Sequence, residues 1–112
     1  MAAIVADLGA RGVPLFALTN FSHEFWPPFF AREADLFVPF LDILVSGEVK
    51  LIKPDPAIYA LALDRFGLAP GEALFVDDRQ DNVDAADDAG LIGHRFRDAA
   101  TLRAALEGYG LL

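Results

Sequence analysis

Short apolar runs alternate with longer amphipathic segments along most of the chain. Each run has the length of a strand buried in a parallel sheet, and each longer segment repeats apolar residues at helical spacing. The predicted strands are 13–18, 42–46, 73–76 and 92–96. The predicted helices are 2–11, 57–66, 82–89 and 99–107. This alternation predicts an α/β fold, a parallel sheet with helices on both faces, in a single domain over residues 1–112.

The segment between the first two predicted strands is the aromatic part of the chain. Residues 21–40 hold more than half of all Phe, Trp and Tyr side chains. Pro27-Pro28 predicts a break between two short helices within it, because proline cannot continue a helix interior. The rings favour packing into the core, and a second interpretation is that part of this surface covers something absent from the chain.

Composition narrows the class of function. The net charge is −8, which disfavours binding to nucleic acid or to an anionic membrane surface and favours cations. The chain has no cysteine, which excludes disulfides, a thiolate nucleophile and a cysteine-based zinc site. No stretch reaches the roughly 18 apolar residues of a membrane span, and the first residues lack a positively charged leader. A soluble cytoplasmic protein is therefore expected.

Three pairs of residues lie at or just after the carboxyl ends of predicted strands. They are Thr19-Asn20, Ser46-Gly47 and Asp77-Asp78. Open α/β sheets bind ligands beyond the carboxyl ends of their strands, and these ends meet at one rim of the sheet. We therefore expect these residues to face a common cleft.

The adjacent aspartates are the strongest candidates for a metal site. Asp77 and Asp78 open a stretch, 77–88, that holds six aspartates against one arginine. Two neighbouring carboxylates repel each other unless a cation or hydrogen-bond donors lie between them. Mg²⁺ prefers carboxylate oxygens and keeps several waters, so this pair, with Asn82 nearby, is a candidate magnesium site. The later aspartates are expected on the solvated face of the helix.

A lysine and a threonine complete the candidate groups. Lys53 lies in a loop stiffened by two prolines and can act as a point charge on a phosphate, although taken alone it favours the simpler interpretation of a solvated lysine. The Thr19 hydroxyl and the free N–H groups after a strand can hold an oxyanion, although many strands end in threonine. His23 and His94 lack metal-ligand spacing, so surface or packing roles are expected for them.

Three motifs follow one another along the chain: LTN, then KPDPAIY, then LFVDDRQDN before a helix of small residues. Their order resembles the haloacid dehalogenase (HAD) superfamily. Within it, the chain looks most like the phosphatase branch, such as sugar-phosphate phosphatases and the amino-terminal phosphatase domain of soluble epoxide hydrolase. The resemblance runs to about Phe96 and implies a Rossmann-like fold, Mg²⁺ as cofactor and a small phosphorylated molecule as substrate.

The resemblance also implies roles for single residues. Thr19, with Asn20 beside it, would bind the transferring phosphoryl group. Lys53 would steady that group and the nucleophile, and it would share the catalytic work with Asp78. In this reading the phosphate-binding residues come from two different loops of the chain.

The metal ligands implied by the resemblance come from the third motif. Asp77 and Asp78 would hold Mg²⁺, with Asp78 as the direct ligand. Asn82 fits the D-D-x-x-x-N pattern of the family and would support the two carboxylates from behind.

One motif of the family is missing. No D-x-D occurs in the 112 residues, whereas the family places a strand followed by D-x-D upstream, with a cap segment between. In the family its first aspartate attacks phosphorus and its second is the general acid and base. The chain is therefore predicted to be a carboxyl-terminal part without a cap domain, truncated or split, with little or no phosphatase activity alone.

The missing strand would also leave the sheet incomplete. In the family it lies between the strand that ends at Thr19 and the one that ends at Asp77. We expect the exposed edges either to pair with each other or to be filled by a second copy, as in a homodimer, or by a separate chain.

Two alternatives to a split hydrolase stay open. One is a non-catalytic HAD-like module that binds a phosphorylated ligand, Mg²⁺ or a protein partner. The other is an unrelated α/β binding domain, such as a receiver-like module with an acidic pocket. Receiver domains carry an acidic pair after their first strand, and that pair does not occur here.

Overall fold

The computed structural model describes residues 2–112. Its helices are α1 (Ala2–Ala10), α2 (Trp26–Arg32), α3 (Ala34–Phe37), α4 (Ser46–Val49), α5 (Pro56–Phe66), α6 (Gln80–Asp88) and α7 (Ala99–Gly108). Its strands are β1 (Leu15–Thr19), β2 (Phe40–Val45), β3 (Leu74–Asp77) and β4 (Ile92–Arg95). The predicted strands and long helices are thus confirmed, with small shifts at their ends. No helix within these residues is both long and apolar enough to cross a bilayer.

The strands form two separate parallel pairs within the described residues. β1 pairs with β2, with Thr19 opposite Val45, and β3 pairs with β4, with Asp77 opposite Arg95. The expectation that the inner edges pair with each other is therefore wrong for residues 2–112. Each of these edges carries backbone groups without a strand partner, and such groups cost free energy when they are kept from water.

Helices cover both faces of the two strand pairs. On one face, α1 and α7 pack their apolar side chains against Leu15 of β1 and Val76 of β3. On the other face, α5 and α6 pack against Leu18 of β1 and Phe75 of β3. This confirms the predicted α/β architecture. Each strand is fixed by its own partner strand and by the same two helical layers.

The sequence predicted that a strand ends at Ser46-Gly47, but in the structure this pair begins α4 directly after β2. The Gly47 N–H donates to the Phe21 carbonyl oxygen at 2.9 Å. A Cβ at Gly47 would lie 2.2 Å from the backbone nitrogen of His23, so only glycine lets the segment after β1 approach so closely. The Ser46 hydroxyl donates to the Leu51 carbonyl oxygen. This residue pair therefore anchors the two neighbouring loops.

Pro27 and Pro28 lie in the first turn of α2, so the helix break that the sequence predicted at these two prolines is misplaced. Proline is tolerated there because the first N–H groups of a helix have no partner inside it. The break falls at Glu33, between α2 and α3. Aromatic rings pack around the buried Trp26, whereas Phe25 is exposed.

Candidate active site

The loop that carries Lys53 is fixed to the carboxyl end of β1. The Lys53 N–H donates to Asn20 Oδ1 at 3.0 Å, and the Asn20 amide donates to the Lys53 carbonyl oxygen at 3.4 Å. Asp55 then accepts from the Ala57 N–H and caps α5, as the local sequence predicts for an aspartate at this position. Two predicted site residues, 33 positions apart in the chain, are thus brought together.

The Lys53 side chain extends from the end of β1 to the end of β3. Its ammonium donates to Asp77 Oδ2 at 2.7 Å, and the two side chains are only 11% and 8% exposed. The ammonium also lies 5.6 Å from the centroid of the Phe75 ring, within the range of a cation–π contact. One buried ion pair therefore joins the carboxyl ends of the two strand pairs.

The Asp77 carboxylate accepts two further hydrogen bonds. The Arg79 N–H donates to Oδ1 at 3.0 Å, and the Asn82 amide donates to Oδ2 at 3.2 Å. Burial raises the pKa of Asp77, but the hydrogen bonds from Lys53 and from the Arg79 N–H outweigh burial and hold the pKa below its usual value. Asp77 is therefore ionised at neutral pH, as a ligand of a cation must be.

Asn82 offers an additional oxygen at this site. It is 3% exposed, and its Oδ1 has no hydrogen-bond partner among the described residues. Together with Asp77 and Asp78, it supplies oxygen donors of the kind that Mg²⁺ prefers. No group of three or more His, Cys, Asp or Glu side chains that could hold a metal forms within residues 2–112. The residues present fit part of a magnesium shell, and the other ligands would be water or another segment.

Thr19 and Asp78 lie next to the bonded residues in the chain. Thr19 is the half-buried last residue of β1 and precedes Asn20. Asp78 is exposed directly after β3, and its backbone carbonyl accepts from Arg95 Nε at 3.3 Å. Both residues stand at the rim that Lys53 and Asp77 define. Their roles, and those of the other site residues, stay predictions.

Two residues of the site have no role in the sequence prediction. The backbone of Arg79 holds Asp77, and its turn position after β3 gives no distinctive signal. Tyr59 is fully buried and donates its hydroxyl to the Asn82 carbonyl oxygen at 2.9 Å. A signal for Tyr59 does exist, because a hydroxyl on the apolar face of α5 must find a partner when it is buried.

The family model of haloacid dehalogenase-like hydrolases matches residues 1–90. The chain belongs to this family. The HAD chain is 40% identical over 94 residues to phosphoserine phosphatase from Thermus thermophilus, covering 80% of this chain and 36% of that relative. It is 32% identical over 87 residues to phosphoglycolate phosphatase from Pectobacterium atrosepticum, covering 77% and 36%. The resemblance to the phosphatase branch is confirmed, although the chain spans about a third of the length of these relatives.

Solved structures confirm the HAD-like fold. An uncharacterised protein from Corynebacterium glutamicum superposes with a TM-score of 0.75 at 29% identity, covering 98% of this chain and 78% of that one. An HAD-family enzyme from Bacteroides thetaiotaomicron, solved with magnesium and inorganic phosphate, superposes with a TM-score of 0.75 at 21% identity. That match covers 89% of this chain and 54% of the enzyme, and at this identity it shows the fold alone.

Proposed function

We propose that these 112 residues supply the phosphate- and cation-binding part of a magnesium-dependent hydrolase of phosphate monoesters. The observation that carries the proposal is the Lys53–Asp77 pair, which brings a cation and a carboxylate together at the carboxyl ends of β1 and β3. The similarity to two phosphatases supports the substrate class. A small phosphorylated molecule is the proposed substrate.

Each residue at the rim has a distinct task in this proposal. The Thr19 hydroxyl and the Asn20 backbone bind phosphoryl oxygens, and Lys53 offsets their negative charge. Asp78 and Asp77 hold Mg²⁺, with Asp78 as the direct ligand. When bound, the metal supplies further positive charge at the transferring group.

The attacking carboxylate has to come from outside these residues. Asp42 lies in β2 and is paired with Arg65 at 2.9 Å, and Asp7 lies in α1 and is paired with Arg103 at 2.9 Å. Neither is at the carboxyl end of a strand. We propose that a strand ending in Asp-x-Asp fills the place between β1 and β3. Its first aspartate would attack phosphorus and displace the alcohol of the monoester, and water would then hydrolyse the aspartyl phosphate to inorganic phosphate and the free carboxylate. A homodimer would cover the edges but bring no Asp-x-Asp, so a separate segment is the better partner.

The second candidate is a non-catalytic HAD-like module that binds a phosphorylated ligand, Mg²⁺ or a protein partner. The missing Asp-x-Asp is the observation that favours it. Such a module would keep the binding residues and gain no turnover when the missing strand is supplied.

Metal binding by the chain is tested with Mn²⁺, a paramagnetic ion that takes the same oxygen ligands as Mg²⁺. We expect traces of Mn²⁺ to broaden the backbone NMR signals of Asn20, Lys53 and Asp78, and excess Mg²⁺ to restore them. Broadening centred on the exposed aspartates Asp84 and Asp88 of α6, or none at all, would contradict the proposed site. Asp78→Asn is the variant expected to abolish the effect, with Asp88→Asn as its matched control.

A further inference from the structure

Tyr59 is hydrogen-bonded to Asn82, whose side chain in turn contacts Asp77. It is fully buried on α5, and its hydroxyl donates to the Asn82 carbonyl oxygen at 2.9 Å. The side-chain amide of the same Asn82 donates to Asp77 Oδ2 at 3.2 Å. Asp77 Oδ2 is also the atom that accepts from Lys53. A path of hydrogen bonds therefore leads from the core of the protein to the ion pair.

The ring of Tyr59 supports the same ion pair by a second route. It packs edge-on against Phe75, with ring centroids 5.5 Å apart and planes at 88°. Phe75 is the aromatic ring that lies 5.6 Å from the Lys53 ammonium. Tyr59 thus contacts the neighbour of each partner, Asn82 for Asp77 and Phe75 for Lys53, and its hydroxyl donates to Asn82 and not to the ion pair.

The protonation state of the Tyr59 hydroxyl does not change near neutral pH. Burial, and then the charges of Asp77 and Asp81, raise the pKa of Tyr59 to about 12. The phenol therefore stays a hydrogen-bond donor across the neutral pH range. A buried hydroxyl without a partner is costly, so the bond also fixes the first turn of α6 relative to α5.

We propose that Tyr59 is a positioning residue that keeps Asn82 and Phe75 where they orient the Lys53–Asp77 pair. Its importance for catalysis rests on the phosphatase function proposed above. The positioning itself is a property of this chain and is measurable without turnover.

The proposal is tested with Tyr59→Phe, which removes the hydroxyl and keeps the ring. Tyr109→Phe is the matched control, since Tyr109 is exposed and lies outside the site. Lys53 and Lys50 are the two lysines of the chain, so the rate of Lys53 acetylation by a mild reagent can be measured by mass spectrometry relative to the exposed Lys50. We expect Tyr59→Phe to raise this ratio about fivefold, the change that corresponds to the loss of one hydrogen bond. Tyr109→Phe should leave the ratio unchanged.

Repeating the measurement in the Asp77→Asn variant distinguishes a positioning role of Tyr59 from a general structural role. In Asp77→Asn the Lys53 ammonium has already lost its partner, so adding Tyr59→Phe should have little further effect on its acetylation. An equal increase in both backgrounds, or no increase in either, would overturn the proposal.

A spectroscopic readout covers the case in which Tyr59→Phe does not fold. In Asp77→Asn with ¹³Cζ-labelled tyrosine, we expect the Tyr59 signal to shift because its hydrogen-bonded partner Asn82 moves, while Tyr109 stays in place. An unchanged Tyr59 signal would contradict the coupling. Because none of these readouts is turnover, the positioning role can fail or hold independently of the phosphatase function.

Discussion

Turnover of p-nitrophenyl phosphate will arise when the 112 residues are joined, through a flexible linker, to an apolar β-strand that ends in Asp-x-Asp. We call this fusion the completed chain. In the proposed mechanism these 112 residues supply charge stabilisation, and the attacking carboxylate comes from the added strand. Losing a nucleophile typically lowers turnover by at least about 10³-fold, so an increase of that order over the chain alone is expected in the presence of Mg²⁺.

The position of the added strand is set by the unpaired edges of β1 and β3. A strand that runs parallel to both would satisfy their backbone groups and end at the rim with Lys53 and Asp77. The matched control is the same fusion ending in Asn-x-Asp, which keeps the strand and removes the nucleophile. Turnover by the unfused 112 residues, or equal turnover by the Asp and Asn fusions, would contradict the proposal.

Lys53→Met will destabilise the chain by about 3 kcal/mol, because it leaves the Asp77 carboxylate buried without its cation. Adding Asp77→Asn removes the uncompensated charge, so the double variant should lose clearly less stability than the sum of the single variants. Urea unfolding at pH 7 measures these free energies.

The loss of stability caused by Lys53→Met should also become smaller in acid. The pKa of Asp77 in the folded protein lies below its ordinary 3.8, so the stabilisation is present above that value and is lost as the pH falls through the folded-state pKa.

A salt bridge elsewhere in the chain provides the control for this experiment. Arg103 and Asp7 form an exposed pair at 2.9 Å, with side chains 39% and 53% exposed. Exposed pairs contribute little because water and salt screen them, so Arg103→Met should cost less than about 1 kcal/mol. Equal costs for Lys53→Met and Arg103→Met would show that the Lys53–Asp77 pair is not held as the structure has it.

The fold was largely predictable because hydrophobic periodicity is a local property. The runs LFAL and LFV are apolar and have the length of a strand, and the structure has a strand at each, although both strands are half-buried and not fully buried. The structure differs from the prediction at Pro27 and Ser46. Whether a proline begins or breaks a helix depends on where the helix starts, and Gly47, the second residue of α4, lies against the backbone of His23, a contact between distant parts of the chain.

The sequence predicted that Asn20, Lys53, Asp77 and Asn82 lie near one another, as the structure has them, but not which hydrogen bonds join them. Strand ends and motif order placed Thr19, Lys53 and Asp77 at one rim. The adjacent aspartates predicted a cation between them, whereas in the structure the Lys53 ammonium is the partner of Asp77, and that contact joins residues 24 positions apart. A hydroxyl on the apolar face of α5 signals that Tyr59 needs a partner, but that partner is the backbone carbonyl of Asn82, and a backbone acceptor leaves no mark in a sequence.

The most direct measurement of the central claim is turnover by the completed chain carrying one rim substitution at a time, each beside its matched control. Lys53→Met and Asp78→Asn should each lower turnover by about 10²-fold or more, because each removes charge that stabilises the transferring group. Lys50→Met and Asp88→Asn change the same residue types away from the rim and should stay within about twofold. If all four variants turned over substrate alike, Lys53 and Asp78 would not form the site.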